Sequence, residues 1–201
     1  MADADLVRVL NQARDLGFLG PGAVEPHIEH ARAYLAALPQ QGTVIDLGTG
    51  GGIPGLPLAS WRPDLRWVLV DAMAKRIAFV RTAVTELGLA ADVIEARAED
   101  LATREHWRGC AEAVVARSLA APAIAAEYAA PLLRTGGRAV IAEPPGGGGD
   151  RWPDEGLVAL GMRKGEVIVG ASATLQVLEQ VERCPEKFPR RVGAAAKRPL
   201  F

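Results

Sequence analysis

The sequence has no apolar run long enough to cross a membrane, and it has only two cysteines, Cys110 and Cys184, among 201 residues. A membrane-spanning helix needs about 18 or more consecutive apolar residues. The first residues, Met1 to Asp5, are acidic and lack the basic and apolar segments of a signal peptide. The cysteines are far apart and have no metal-ligand spacing, so they fit free thiols in a reducing compartment. We therefore expect a cytoplasmic protein with no membrane partner.

The sequence also lacks the patterns of a metal centre and of a phosphate-binding P-loop. His27 and His30 are one helical turn apart, but no third ligand accompanies them, so we expect no metal site. The run from Pro144 to Gly149 is rich in glycine, but no Lys-Ser or Lys-Thr pair follows it, which argues against a P-loop. Its composition predicts a mobile loop instead.

Apolar residues make up 49% of the chain, enough for one sizeable core. We expect an amino-terminal helical extension at residues 1–41, a main domain at 42–184 and a basic tail at 185–201 that packs on the same domain. The charged residues of the tail are Lys187, Arg190, Arg191, Lys197 and Arg198 against Glu186. The tail therefore carries +4 and the rest of the chain −5. This asymmetry suggests a polyanionic partner, although a solvated tail fits the charges equally well.

The most informative stretch runs from Thr43 to Gly55, where a short apolar strand ends in Asp46-Leu47 and then in glycines. Strand, glycine loop and helix in succession are typical of a nucleotide-type α/β site. The pattern Gly50-x-Gly52-x-x-Gly55 fits a dinucleotide fingerprint, which is a weak signal alone. The pattern Asp46-x-Gly48-x-Gly50-x-Gly52 also fits, and its carboxylate at the strand end disfavours a pyrophosphate and suits a ligand with a cationic amino-acid part. This second pattern resembles the motif of class I S-adenosylmethionine methyltransferases, which favours the methyl donor over a dinucleotide. Pro54 is expected in the first turn of the following helix.

Strands and helices alternate after this loop, which predicts a parallel, doubly wound sheet. We expect the strands at 44–47, 66–70, 92–96, 112–116 and 138–142, followed by a hairpin of 167–169 and 175–181. Helices are expected at 3–16 and 27–38 before the sheet, and at 73–87 and 121–133 within it. Five parallel strands and a terminal hairpin make the seven-stranded class I methyltransferase sheet, whereas a dinucleotide dehydrogenase more often continues with a second βαβ half.

Acidic residues stand at the carboxyl ends of three predicted strands, where ligands of such sheets bind. Asp46 ends the first strand, Asp71 the second, and Glu99 follows the third. Asp71 lies about 20 residues beyond the glycines, where an acidic side chain meets ribose hydroxyls. It is equally suited to cap the next helix, and the two roles are compatible.

Several segments together resemble one family. They are Asp46 to Pro57 (DLGTGGGIPGLP), Lys75-Arg76 with Phe79, Leu87-Gly88-Leu89, Arg97-Ala98-Glu99, Ala116-Arg117, Pro131-Leu132-Leu133 and the tail segments Phe188 to Arg191 and Lys197 to Leu200. In this order they resemble the small-subunit ribosomal RNA methyltransferase G family, also called glucose-inhibited division protein B. The resemblance covers about residues 27–200 and implies S-adenosyl-L-methionine-dependent methylation of N7 of a guanine in 16S rRNA. It also implies that the small ribosomal subunit is a partner; we expect a monomer.

The resemblance implies donor contacts at Gly48, Ile53, Ala98, Glu99 and Arg117. Asp46, Gly50 and Asp71 join them from the class I pattern. Arg117 is suited to face either the donor carboxylate or an RNA phosphate. The tail residues assigned to RNA are Arg190, Arg191 and Lys197. The chain departs from the family at Glu143-Pro144, where the family usually has Lys-Gly, and we expect Glu143 to repel phosphate.

No catalytic acid or base is expected, because guanine N7 carries an in-plane lone pair and no proton at neutral pH. The reaction needs N7 held in line with the S–CH₃ bond, which is positioning chemistry. Two other functions remain open: a methyltransferase of the same descent that acts on another acceptor such as a small molecule, and a module that binds the donor without transfer.

Overall fold

A single seven-stranded sheet organises the computed structural model, which describes residues 2–144, 147 and 149–201. Its strands are β1 Thr43–Leu47, β2 Arg66–Asp71, β3 Ala91–Glu95, β4 Ala111–Ala116, β5 Leu133–Glu143, β6 Met162–Val169 and β7 Thr174–Gln180. They lie in the order β3-β2-β1-β4-β5-β7-β6. Strands β1 to β5 are parallel, and β7 is antiparallel to β5 and β6. The predicted seven-stranded, mostly parallel sheet is confirmed.

Helices cover both faces of this sheet. They are α1 Ala2–Asp15, α2 Glu25–Arg32, α3 Gly55–Trp61, α4 Ala74–Glu86, α5 Ala98–Ala102, α6 Pro122–Ala129, α7 Asp154–Val158 and α8 Ala194–Lys197. On one face, Val80 of α4 packs in a cluster with Leu69 of β2. On the other, Ala126 of α6 packs in a cluster with Val114 of β4. Because helices pack on both faces of a mostly parallel sheet, the architecture is doubly wound α/β.

The site is positioned by the reversal of strand order beside β1. Strand β1 lies between β2 and β4. The chain runs from β1 to β2 and β3 on one side of the sheet and then crosses over to β4 and β5 on the other side. A crevice opens at such a switch point, outside the carboxyl ends of the strands. Asp46 is the fourth residue of β1 and is paired across the sheet with Leu69, so the loop that follows begins at this edge.

Several boundaries differ from those expected. The helix expected at 27–38 begins at Glu25, with Pro26 in its first turn, and becomes a 3₁₀ helix at Ala33–Ala37. The helix expected at 121–133 gives way after Ala129 to a 3₁₀ turn that contains Pro131, which cannot donate a backbone hydrogen bond. Pro54 is the N-cap of α3, one position before its expected place, and follows a cis peptide bond. Strand β5 starts five residues early, with Gly136 and Gly137 within it.

The glycine-rich run and the domain bounds are the expected features that the structure leaves as predictions. Of the glycine-rich run, residues 145, 146 and 148 lie outside the described residues. The domain bounds at 41/42 and 184/185 stay predictions. In the described part of the chain, no helix is long and apolar enough to span a bilayer. The same ranges hold no group of three or more His, Cys, Asp or Glu that could hold a metal ion, and both cysteines are free.

Candidate functional site

A cavity of about 270 Å³ opens at the carboxyl ends of β1 and β2 and beside the start of α5. We call it the glycine-loop cavity. Its lining includes four of the predicted donor residues, namely Gly48, Asp71, Ala98 and Glu99. Residues far apart in the sequence therefore meet at the sheet edge where the strand pattern placed them. Leu119 and Tyr128 also line the cavity; no sequence pattern singled them out.

The glycine loop is held by backbone hydrogen bonds, and a Cβ at Gly48, Gly52 or Gly55 would lie within 3.0 Å of another atom. The N–H groups of Gly48 and Thr49 both donate to the Val70 carbonyl at 2.8 Å. Gly48 has φ = 76°, a left-handed conformation that favours glycine. The N–H of Gly55 donates to Asp46 Oδ2 at 2.9 Å, and a Cβ on Gly55 would lie 2.5 Å from that oxygen. The loop is therefore a fixed platform under the cavity.

Asp46 is fully buried at the base of this loop and does not line the cavity. Burial raises the pKa of its carboxyl to about 7. Its Oδ2 is bonded to Gly55, but its buried Oδ1 has no hydrogen-bond partner among the described residues. An unpaired buried carboxylate oxygen is costly unless something positive approaches it. A nearby ligand cation would lower this pKa, because it favours the ionised form.

Asp71 joins the second strand to the glycine loop. Its Oδ2 accepts the Gly50 N–H at 3.0 Å, and its Oδ1 accepts the Met73 N–H at 2.9 Å, just before α4. Arg76 lies 3.5 Å from Oδ2. Each carboxylate oxygen has two lone-pair directions, so these three contacts leave one direction, on Oδ1, for a ligand hydroxyl. The carboxylate thus holds the loop and the turn before α4 while it lines the cavity. The expectation that it caps the helix is wrong, because the N-cap is Met73 and no side chain caps α4.

Replacement of Asp71 by Ala is expected to weaken S-adenosylmethionine binding by about 1–3 kcal/mol, because ligand polar groups would lose their partner. Isothermal titration calorimetry measures the change. Asp92→Ala is the matched control, because Asp92 is an exposed carboxylate at the distant amino end of β3, paired with Arg66. A lower melting temperature with unchanged donor affinity would contradict the ribose interpretation and leave the loop contact as the only role.

Glu99 lies at the start of α5 and is almost fully buried. Its Oε1 accepts the Tyr128 hydroxyl and the Gly193 N–H, both at 3.0 Å. Burial and the hydrogen bond to Glu99 raise the pKa of Tyr128 to about 12, so the phenol stays protonated and donates. Oε2 has no partner within the described ranges. Glu99 is thus oriented by α6 and the tail while one oxygen stays available to a ligand.

Four predicted donor residues do not line the glycine-loop cavity. Ile53 is buried in the cluster under α1, and Gly50 contributes the N–H that binds Asp71. Asp46 holds the loop by accepting the Gly55 N–H. Arg117 lies at the end of β4 in a separate cavity. The donor contacts assigned to these four therefore stay predictions, with Asp46 and Gly50 placed as supports of the loop.

This second cavity has a volume of about 550 Å³ and lies between α2 and the carboxyl ends of β4 and β5. We call it the histidine cavity, after His27 and His30 in its lining. It shares Ser118 and Leu119 with the glycine-loop cavity, so the two are neighbours with a common wall. Ser118 is the one non-glycine residue with positive φ (53°) in the described ranges. Such strain is frequent at functional sites.

Arg117 donates a hydrogen bond from Nη1 to His27 Nδ1 at 3.0 Å. Since the guanidinium always donates, His27 Nδ1 accepts and its ring proton is assigned to Nε2. Burial, and then Arg117, lower the pKa of His27. Burial lowers the pKa of His30 to about 4, and its buried Nδ1 has no hydrogen-bond partner among the described residues. Both imidazoles are therefore neutral at pH 7 beside a charged arginine.

Glu143 does not face the solvent, so the expectation that it repels phosphate is wrong. It is buried at the end of β5, and its carboxylate accepts hydrogen bonds from Arg151 and from Nε1 of Trp152. The salt bridge with Arg151 neutralises its charge. Arg151 and Trp152 follow the glycine-rich run in the sequence, and no sequence pattern indicates that they return to β5.

The basic tail forms a third concave surface, the tail cavity, of about 670 Å³. Its lining includes Arg190, Arg191, Lys197 and Arg198. Arg190 is bound to the buried Glu127 of α6 through Nε and Nη2. Arg191 and Lys197 are exposed. The tail is also not uniformly extended, because α8 forms at Ala194–Lys197 after Gly193. Arg190 is therefore engaged within the fold, while Arg191 and Lys197 face solvent.

Structural comparison shows the same fold in methyltransferases. A SAM-dependent methyltransferase from Aquifex aeolicus superposes with a TM-score of 0.57 over 84% of this chain and 96% of that chain, at 17% identity. A T. thermophilus 16S rRNA N2 methyltransferase, solved in complex with AdoMet and guanosine, superposes with a TM-score of 0.52 over 78% of this chain and 40% of that chain, at 23% identity. At these identities the likeness shows the class I fold alone.

Sequence comparison identifies the family. A ribosomal RNA small subunit methyltransferase G from Deinococcus radiodurans is 41% identical over 78% of this chain, and one from Rubrobacter xylanophilus is 39% identical over 79%. The alignments span 65% of the length of each of these relatives. The family model described as rRNA small subunit methyltransferase G matches residues 19–143. The chain therefore belongs to the rRNA small subunit methyltransferase G family.

Proposed function

We propose that this protein transfers a methyl group from S-adenosyl-L-methionine to N7 of a guanine in 16S rRNA. The observation that carries the proposal is the meeting of Gly48, Asp71 and Glu99 around one cavity at the switch point of a class I sheet. Family membership supports the same reaction. We further propose that the protein acts as a cytoplasmic monomer on the small ribosomal subunit.

The residues present fit the methyl donor. Glu99 Oε2 and the remaining lone pair on Asp71 Oδ1 are acceptors suited to a ribose hydroxyl or to an adenine amino group. Ala98 is small enough for close approach of a ring. The unpaired Oδ1 of Asp46 gives the base of the site a negative charge when ionised, which favours a cationic ligand over a pyrophosphate. When bound, S-adenosylmethionine supplies an electrophilic methyl group on a sulfonium.

The protein's contribution to the reaction is orientation. The rigid glycine loop fixes one wall of the donor site, and Leu119 separates it from the histidine cavity. A guanine in folded RNA has to be presented from an unpaired or flipped position. Because N7 has no proton to lose, no residue of the site has to act as a base, and alignment alone lowers the barrier.

The decisive experiment is mass mapping of 16S rRNA nucleosides from cells with and without the gene. Loss of one 7-methylguanosine in the deletion, restored by the wild-type gene, is the expected result. Purified protein with labelled donor should then methylate small subunits from the deletion strain. Incorporation into metabolites instead of RNA would indicate another acceptor, and donor binding without incorporation would indicate a binding module. Either result contradicts the proposal.

We propose that Arg191 and Lys197 of the tail contact RNA phosphates, because both are exposed cations on the same concave surface. Each contact on single-stranded RNA contributes a slope of about −0.7 to the dependence of log K on log[salt]. Arg191→Ala with Lys197→Ala should therefore flatten the slope for rRNA binding by about one to two units and leave donor affinity unchanged. Filter binding at several salt concentrations measures it.

A matched control removes two exposed arginines at the amino ends of their strands, Arg66 and Arg163, away from the cavities. This pair should keep the wild-type slope. If the tail variant has the same slope as this control, the tail makes no phosphate contact.

A further inference from the structure

We propose, resting on the function above, that the basic tail is a strap beside the methyl-donor site, which orients Glu99 and couples donor binding to the phosphate contacts of the tail. The first support is a hydrogen bond between two cavities. Glu99 lines the glycine-loop cavity, and its Oε1 accepts the N–H of Gly193 at 3.0 Å. Gly193 lines the tail cavity. The carboxylate proposed as a donor contact is therefore held directly by the backbone of the tail.

The second support is the set of contacts that holds the tail on either side of Gly193. Before it, Arg190 binds the buried Glu127 of α6 with its backbone N–H and its guanidinium. After it, α8 packs against α6, and Ala195 of α8 is 2% exposed. These contacts place the Gly193 N–H against Glu99, so Arg190 and Ala195 act on the donor site through Glu99.

The tail has two arrangements that differ at the donor carboxylate, which we call closed and open. Helix α8 is four residues long, and a helix this short is not stable by itself. When its packing on α6 opens, the Gly193 N–H leaves Glu99, and Tyr128 alone of the two described donors still binds that carboxylate. The direction of Oε2 is then no longer fixed. A methyl donor that binds the oriented carboxylate favours the closed tail, and by linkage the closed tail favours the donor.

The closed tail also assembles the cations proposed for RNA. Arg191 and Lys197 stand on either side of Gly193 in the sequence and line one concave surface in the closed arrangement. An open segment has to be ordered before it can place both cations on neighbouring phosphates, and that ordering costs free energy. An RNA backbone therefore favours the closed tail as the donor does. Because both ligands favour one arrangement, each should promote the binding of the other wherever the tail is partly open.

Limited proteolysis of the wild-type protein tests the link between donor and tail. Trypsin cleaves after Arg191 and Lys197, and a backbone that packs on the fold has to open locally before it is cut. Saturating S-adenosylhomocysteine should slow both cuts by at least about fivefold, because it binds the closed tail more tightly. Cleavage after Arg104, which is exposed and outside both cavities, should change by less than about twofold. Equal rates of tail cleavage with and without the ligand would overturn the proposal.

A matched pair of variants tests the same link by affinity. Ala195→Gln puts a polar side chain against α6 and opens the tail, whereas Ala196→Gln makes the same change at an exposed position of α8. Neither variant alters the net charge. Calorimetry should show S-adenosylhomocysteine binding about five- to tenfold more weakly to Ala195→Gln, and within about twofold of wild type to Ala196→Gln.

A short oligouridylate tests the coupling to phosphate, because it supplies an RNA backbone without a guanine. At low salt and saturation, it should raise the affinity of Ala195→Gln for S-adenosylhomocysteine by at least about threefold. It should change the wild-type affinity by less than about twofold, because the wild-type tail is already closed.

The outcomes separate this inference from the proposed function. Wild-type ligand affinity in Ala195→Gln would overturn the strap, and a loss that oligouridylate does not reverse would overturn its coupling to phosphate. The proteolysis uses wild-type protein, so its result does not depend on how either variant folds. If wild-type protein methylates small subunits but its tail is cut equally fast with S-adenosylhomocysteine, the inference fails while the function stands. If it methylates no rRNA but shows the protection and the recovery, the function fails and the strap stands.

Discussion

Gly48→Val is expected to abolish S-adenosylmethionine binding, with an affinity loss of more than about 100-fold. A Cβ at this position would lie 2.6 Å from Leu119 Cδ1, closer than carbon atoms pack, and the two γ carbons of valine add to the clash. Leu119 forms the wall between the glycine-loop cavity and the histidine cavity, so its displacement deforms both. The φ of 76° adds a backbone cost of about 1–3 kcal/mol for any residue with a side chain.

Calorimetry with S-adenosylmethionine measures the loss of affinity in Gly48→Val, and the same titration with NAD tests which class of ligand the protein binds. Wild-type protein should bind the methyl donor and not NAD. Gly88→Val is the control: φ is 62° there, but nothing lies within 4 Å of a Cβ, so it carries the backbone strain without the clash. Wild-type affinity in Gly48→Val would show that the donor does not use this platform, and heat with NAD alone would show that the ligand assignment is wrong.

Local sequence patterns were sufficient to locate the glycine-loop cavity but not to identify all the residues that line or orient it. Asp71 and Glu99 could be placed because parallel strands bring their carboxyl ends to one edge whatever their distance along the chain. Tyr128 could not, because its contact with Glu99 depends on how α6 packs across α5. The contact of Gly193 with the same carboxylate depends on the path of the tail, which no periodicity encodes.

The partners of charged residues could not be predicted from the sequence either. Glu143 is expected to repel phosphate because it stands where the family usually has lysine, and the sequence does not show that Arg151 and Trp152 enclose it. Arg117 was assigned to the donor or to RNA, and its contact with His27 joins residues 90 positions apart. Which partner a charge finds is decided by tertiary packing, whereas which edge of the sheet it occupies is decided by the strand pattern.

Arg190→Ala is expected to lower the free energy of unfolding by about 2–4 kcal/mol, because it leaves the Glu127 carboxylate buried and without its charged partner. The side chain of Glu127 is 1% exposed, and Arg190 Nε lies 2.9 Å from its Oε1 and 3.1 Å from its Oε2. Arg190 itself is 27% exposed, so solvent screening places the effect below that of a fully buried pair. Thermal unfolding should show a decrease of about 5–15 °C for a chain of this length.

Arg191→Ala is the matched control, because the Arg191 side chain is exposed and the variant leaves Arg190 in place. This variant should have a melting temperature within about 2 °C of wild type. Glu127→Gln introduced into Arg190→Ala should recover part of the loss, since an amide is less costly to bury than a carboxylate and still accepts the N–H of residue 190. The tail then divides into two parts: Arg190 fastens it to α6 and so places Gly193 against Glu99, while Arg191 and Lys197 remain for RNA. Equal stability of Arg190→Ala and Arg191→Ala would contradict this division.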